Sequence, residues 1–230
     1  MVMTEQRINM IPELKMPEAP KIPCDGVLYF LSGHYLFSYP ENGGTHSKFV
    51  TAADVSAAFN HQEVDTGWLP AGVVRCGSNA QGPFYVYSAP AQLVEVTLNE
   101  RKIKVPIPRT VLLAAGAGKF RLWAMSAKYF DAGVEAFLAP FPNVYESGEI
   151  CWGPNDPGPV NPMKARWTWE LFFATPFSDH LVNGKSRRFQ QDVRSLQAAL
   201  VADNARAYPN NDLVFAGNKI GNLIDQILEG

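Results

Sequence analysis

The strongest constraint on this chain is an alternation of apolar and polar residues that keeps its period across a short polar break. In QLVEVTLNERKIKVPIP, Val94, Val96 and Leu98 alternate with Glu95 and Thr97. After Asn99-Glu100-Arg101, Ile103, Val105 and Ile107 alternate with Lys102 and Lys104. Side chains on a strand point to opposite faces in turn, so a period of two on both sides of a break predicts an antiparallel hairpin with one wet face. TVLLAAGAGKFRLWAMS repeats the plan around Gly116-Ala117-Gly118, and GPFYVYSA adds a strand before both. The expectation is a meander of four or so strands from about residue 72 to 126.

The period changes downstream. Phe189, Val193, Leu196 and Leu200 recur at four, three and four residues, which is one stripe of a helix. Ile220, Leu223, Ile224, Ile227 and Leu228 form a second. Strands followed by helices predict an α+β domain. Between them, residues 135–184 show little periodicity, many prolines, and the aromatics Trp152, Trp167, Trp169, Phe172 and Phe173. A long irregular stretch within a compact domain is functional or disordered, and the aromatics favour function.

Upstream, Pro12, Pro17, Pro20 and Pro23 break up the start of the chain, predicting an extended arm over residues 1–24. A small N-terminal α/β module is expected over 25–66. It holds a hairpin about Ser32-Gly33 and a short helix announced by Thr51 and Asp54, the spacing of a capping box. Residues 67–230 make the remaining core.

Composition narrows the partners. Twenty Lys and Arg against 22 Asp and Glu give a net charge of −2 with no basic stripe, which disfavours nucleic acid. The densest basic cluster, Lys185, Arg187 and Arg188, reads as a solvated helix start. No segment approaches the ~18 apolar residues of a membrane span. The N-terminus lacks the apolar core of a signal peptide. Cys24, Cys76 and Cys151 are few, odd in number and without CxxC spacing, so neither a disulfide framework nor a zinc site is expected. The chain reads as cytoplasmic with reduced thiols. His34, His46, His61 and His180 form no pair at metal-ligand spacing, and no metal or organic cofactor is expected. GAGK at 116–119 lacks the other positions of a phosphate loop and reads as a turn. Ser178-Asp179-His180 matches a catalytic triad by letters alone.

Cys151 differs from the other two cysteines. It follows the turn Glu146-Ser147-Gly148 and precedes WGPNDPGP, where no regular element is expected to bury it. The stretch FPNVYESGEIC resembles the active-site segment of the ubiquitin-conjugating enzymes: His-Pro-Asn, a variable stretch with a glycine turn, then the acceptor cysteine. In that family the asparagine lies eight positions before the cysteine, and Asn143 and Cys151 have the same separation (151 − 143 = 8). Pro142, Val144, Tyr145 and Gly148 also fall in place. With KFVTAADVSAAF, VPIPRTVLLAAGAGKFRLWAM and WTWELFFATPFSDH, the chain looks like the prokaryotic branch typified by protein B of the ParB-related, ThiF-related cassette. The resemblance covers most of residues 25–200. It departs in three places: the motif histidine is replaced by Phe141, the tryptophan that follows the family's cysteine has no clear equivalent, and the first ~65 residues are more than the family's N-terminal helix.

The resemblance implies a ubiquitin-conjugating-like fold: a four-stranded antiparallel meander, an irregular active-site segment and C-terminal helices. It implies that Cys151 carries a ubiquitin-like modifier as a thioester, received from a ThiF-like adenylating enzyme and passed to a target amine. A bacterial anti-phage or plasmid-associated conjugation system is the implied setting. Asn143 would either donate to the oxyanion or brace the loop. Pro142, Tyr145, Gly148, Trp152, Asp179 and His180 would form the rim, with Asp179 and His180 either orienting the amine or serving packing and capping. The chain ends in a single Gly230, without a flexible glycine tail, which fits a carrier better than a modifier. Two other classes stand beside this reading: a non-catalytic adaptor on the same fold, and a cysteine hydrolase pairing Cys151 with His180.

Overall fold

The computed structural model describes residues 24–32, 34–59, 67–98, 100–116 and 118–229. The expected arm lies, up to residue 23, outside the described residues. The chain divides into two compact units between Asp65 and Thr66.

The first unit is a three-stranded antiparallel sheet, β1 (Val27–Leu31), β2 (His34–Glu41) and β3 (Gly44–Val50), followed by α1 (Ala52–Phe59). Leu31 pairs with His34, so β1 and β2 form the expected hairpin, with Gly33 outside the described residues. The second hairpin turns at Asn42-Gly43, both with positive φ. The capping box is reciprocal: Asp54 N donates to Thr51 Oγ1 at 3.1 Å, and Thr51 N donates to Asp54 Oδ2 at 2.9 Å. Thr51 N, together with Thr51 Oγ1, which donates to Asp54 Oδ2 at 2.7 Å, lowers the Asp54 carboxyl pKa.

The second unit is built on a six-stranded antiparallel sheet. Its strands are β4 (Val73–Asn79), β5 (Gly82–Ala89), β8 (Arg109–Ala115), β9 (Lys119–Met125), β10 (Glu135–Leu138) and β11 (Phe215–Lys219), and their order is β11-β10-β9-β8-β5-β4. Residues 72–126 thus hold six strands, not four or so. Two of them, β6 (Gln92–Leu98) and β7 (Arg101–Ile107), leave the sheet as a separate hairpin. The chain departs at Pro90 and returns at Pro108, residues with no N–H for a ladder. β5 then pairs with β8 as though the excursion were absent, Ala89 opposite Thr110. β8 and β9, which flank the glycines of GAGK in the sequence, pair with Ala115 opposite Lys119; Ala117 lies outside the described residues.

Both faces of the sheet are covered, so β8 is buried from Thr110 to Ala115 and loses the alternation of an exposed strand. On one face Phe84, Val86, Val111, Leu113 and Met125 pack against Ile220, Ile224 and Leu228 of α4 (Ile220–Glu229). On the other, Tyr85, Tyr87, Leu112, Phe120 and Leu122 pack against the β6–β7 hairpin and α2 (Ala165–Ala174). A third cluster joins Phe137 to Val193, Leu196 and Leu200 of α3 (Val193–Ala202).

Three further expectations need correction. Residues 135–184 are not irregular throughout, because they contain β10 and α2. The helix expected from Phe189 begins at Val193; Asp192 caps it by accepting from Arg194 N, and Phe189 packs on the same cluster from outside the helix. Lys185 is not solvated and starts no helix: it is 3% exposed, on a strap between α2 and α3.

Candidate active site

The eight-residue spacing between Asn143 and Cys151 has a direct geometric cause. Val144 and Ile150 pair across an antiparallel bridge, which sets Asn143 opposite Cys151. Cys151 N donates to Asn143 O at 2.8 Å. The turn closes with Tyr145 N donating to Glu149 O at 2.8 Å and Gly148 N to Tyr145 O at 2.9 Å. Gly148 has φ 86°, a left-handed conformation that glycine adopts without strain. A Cβ here would lie 2.7 Å from Cε2 of Trp123, so the position also needs a residue with no side chain.

This small hairpin is docked on β9. Leu122 N donates to Gly148 O at 2.8 Å, and Ile150 N donates to Phe120 O at 3.0 Å. It therefore extends the β9 edge beyond the part that β10 pairs, Trp123 and Ala124. The cysteine sits at the end of a segment held by main-chain bonds.

Asn143 is 7% exposed and has φ 61°, a conformation asparagine tolerates better than most residues. The strap after α2 holds it at three points. Its Nδ2 donates to Pro176 O at 3.1 Å, its Oδ1 accepts from Ser178 Oγ at 2.8 Å, and its main-chain N donates to His180 O at 3.3 Å. The strap is itself anchored, since Phe177 N donates to Thr97 O of β6 at 2.9 Å. Ser178 thus belongs to the site as a partner of Asn143, a role that its place in Ser178-Asp179-His180 gave no reason to expect.

Phe141, at the position of the motif histidine, is 2% exposed. Its ring lies among Phe173, Phe172 and Phe177 at centroid distances of 5.1, 6.0 and 6.2 Å. The polar work at this end of the loop falls to Lys185, whose Nζ donates to Phe141 O at 2.7 Å and also to Val144 O. Burial pulls the Lys185 amine down to about 7, because an ammonium loses hydration there. No sequence signal marks this lysine: its neighbours Gly184, Ser186, Arg187 and Arg188 suggest solvent.

The rest of the expected rim is partly assembled. Cys151 and Trp152 are half-buried, Pro142 is buried, and Tyr145, Asp179 and His180 are exposed. Trp152 stands edge-on to Phe120 at 5.6 Å and to Phe172 at 6.4 Å. Asn155 Nδ2 donates to Trp152 O at 3.3 Å and Thr175 Oγ1 at 3.2 Å, tying the segment after the cysteine to the end of α2. The His180 ring meets Tyr145 edge-on at 6.1 Å. Of the other cysteines, Cys24 is exposed and Cys76 is half-buried on β4.

A protein-family model described as prokaryotic E2 family D matches residues 46–216, which include the whole loop, its strap and α3. The chain belongs to prokaryotic E2 family D. No curated protein and no solved structure matches it. Membership gives this family D chain a ubiquitin-conjugating-like transferase function, with a ubiquitin-like modifier and an activating enzyme as the implied partner classes. The α+β architecture, with mostly antiparallel sheets and few helices, is compatible with that family. Among the described residues, no helix is long and apolar enough to cross a membrane.

Proposed function

We propose that Cys151 is the acceptor through which this family D chain carries a ubiquitin-like modifier. The observation that carries the reading is the register of the loop: Cys151 lies opposite Asn143, and its amide bonds to Asn143 O. A thiolate is nucleophilic near neutral pH, and the thioester it forms remains open to an amine. In loading, the Cys151 sulfur attacks the modifier's thioester on the activating enzyme. A new C–S bond forms at Cys151, the old C–S bond breaks, and the activating enzyme's cysteine leaves as a thiolate. In discharge, a target amine attacks the same carbonyl. The C–N bond forms, Cys151 leaves as a thiolate, and the amine loses its proton to solvent or a neighbouring base.

Asn143 serves as the brace of this loop. Both ends of its amide are engaged, with Pro176 O and Ser178 Oγ. Gly148 aims the loop, Pro142 and Trp152 pack its two ends, and Tyr145, Asp179 and His180 form the exposed rim that meets the modifier or the amine. Residues 67–230 form the catalytic core and 25–66 an appended module. A ThiF-like activating enzyme in a bacterial anti-phage or plasmid-associated cassette is the expected context.

The test is reconstitution with a cognate modifier, its activating enzyme and ATP. Wild type forms an adduct that a thiol reductant removes, and Cys151→Ser forms one that the reductant leaves intact. A loaded activating enzyme with no adduct on this chain would end the proposal.

A further inference from the structure

The loop lacks the histidine expected at 141, and something else must hold its first turn. Two carbonyls there, Phe141 O and Val144 O, flank Pro142 and Asn143, and a phenylalanine ring has no donor to offer them. A buried carbonyl without a donor is destabilising, because it has given up its hydrogen bond to water. Both accept from one atom, Lys185 Nζ, which comes from the strap 44 residues beyond Phe141. Lys185 is 3% exposed, so its amine is buried where it meets these carbonyls.

We infer that Lys185 is the positioning residue of the Cys151 loop: one amine clamps the carbonyls on either side of Pro142-Asn143 and so fixes the strand against which Cys151 is registered. The inference rests on the proposed role of Cys151 only for its consequence in catalysis; the clamp itself is a property of the loop. It explains how Phe141 can point its ring into the aromatic cluster while the loop keeps its shape. The clamp and the Asn143 brace act on the same four residues, the first from the strap at 185 and the second from the strap at 176–180.

The clamp also links the loop to pH. A cleft of about 340 Å³ lies beside the amine, lined by Leu138, Val144, Tyr145, Glu146, Leu181 and Asn183 among others. The titratable groups facing it are Glu146 and Tyr145 from the turn, with His180 against the Tyr145 ring. Arg187 and Arg188 follow on the strap, and Asp212 accepts from the main-chain N of both. The downward shift of Lys185 comes from burial. With the closed-loop amine at about 7 and its ordinary value at 10.5, the open loop binds more protons between those limits. Opening is therefore easiest at and below pH 7 and becomes harder as pH rises toward 10.5, by roughly tenfold per unit once pH exceeds the lower value.

Amide hydrogen exchange of the full chain, resolved by NMR and corrected for intrinsic rates, reads this directly and needs no conjugation activity. In wild type, the opening constants of the Tyr145, Ile150 and Cys151 amides should fall about tenfold per pH unit from 7.5 to 9. The amides of the central β5–β8 pair should not follow them. In Lys185→Met, the loop amides should exchange at least ~10-fold faster at pH 8 and lose the pH slope, with the central pair little changed. Flat loop opening constants in wild type overturn the inference, as does a Lys185→Met variant whose loop amides match wild type or accelerate only in step with the whole sheet. Should Lys185→Met not fold, the wild-type pH series still decides. Failure here leaves the Cys151 adduct test untouched, and failure of that test leaves the clamp standing.

Discussion

Replacing Gly148 with alanine is the sharpest perturbation of the loop that carries Cys151. Two costs combine at this residue. An alanine at φ 86° costs about 1–2 kcal/mol relative to glycine. Its Cβ would also lie 2.7 Å from Cε2 and 2.8 Å from Nε1 of Trp123. Trp123 is 2% exposed, and Gly148 O is held by Leu122 N at 2.8 Å, so neither side can retreat freely. Overpacking of this kind costs about 1–3 kcal/mol. The sum is about 3.5 kcal/mol, a drop of roughly 7–14 °C in Tm for a unit of this size. Gly153→Ala is the control: it shares the positive φ (59°), is exposed, and has nothing within 4 Å of the new Cβ. It should cost about 1.5 kcal/mol, or ~3–6 °C. Near-UV circular dichroism suits the assay because all five tryptophans lie in residues 66–230. Melting temperatures for the two variants within ~2 °C of each other would refute the close approach of the turn to Trp123.

Three further outcomes follow from the contacts. Asn143→Ala removes two side-chain hydrogen bonds and a residue suited to φ 61°, for about 2–4 kcal/mol, whereas Ser178→Ala removes one bond for about 1 kcal/mol. As a brace, Asn143 should weaken loading and discharge together; a discharge defect of ~10²–10³ with loading intact would make it an oxyanion donor instead. Phe141→His, which restores the motif letter, should destabilise the chain by about 3 kcal/mol in urea titrations, since it sets an imidazole among Phe172, Phe173 and Phe177. An equal or higher stability would show that the aromatic cluster does not fill this position. Tyr85, whose hydroxyl is pushed up to about 12 by burial, should stay un-ionised in an ultraviolet titration up to pH 11 while the fold persists.

Local patterning made the hairpins legible, because a period of two on each side of a polar break is a property of neighbouring residues. It could not show that β6–β7 stands outside the sheet. That depends on β5 meeting β8 across the excursion, a pairing between distant residues; the prolines at 90 and 108 were its only local trace. Helix α2 could have been read. Its buried Ala165, Thr168, Trp169, Phe172 and Phe173 are spaced at i, i+3, i+4, i+7 and i+8, a helical stripe bracketed by Pro162 and Pro176. In the loop, the Asn143–Cys151 spacing was visible as a number, and its cause, a bridge between Val144 and Ile150, became visible only in the fold. Ser178 and Lys185 were beyond local reading. Each meets the loop across more than 30 residues, and a lysine one residue removed from a pair of arginines carries no mark of burial.

The central claim is that the modifier is joined to Cys151 itself. Peptide mapping of the Cys151→Ser adduct by mass spectrometry tests it most directly, because an ester survives digestion. The modifier's C-terminal residues should appear on the peptide containing position 151, with Cys24 and Cys76 unmodified. Attachment at either of those cysteines, or at a lysine with position 151 free, would contradict it.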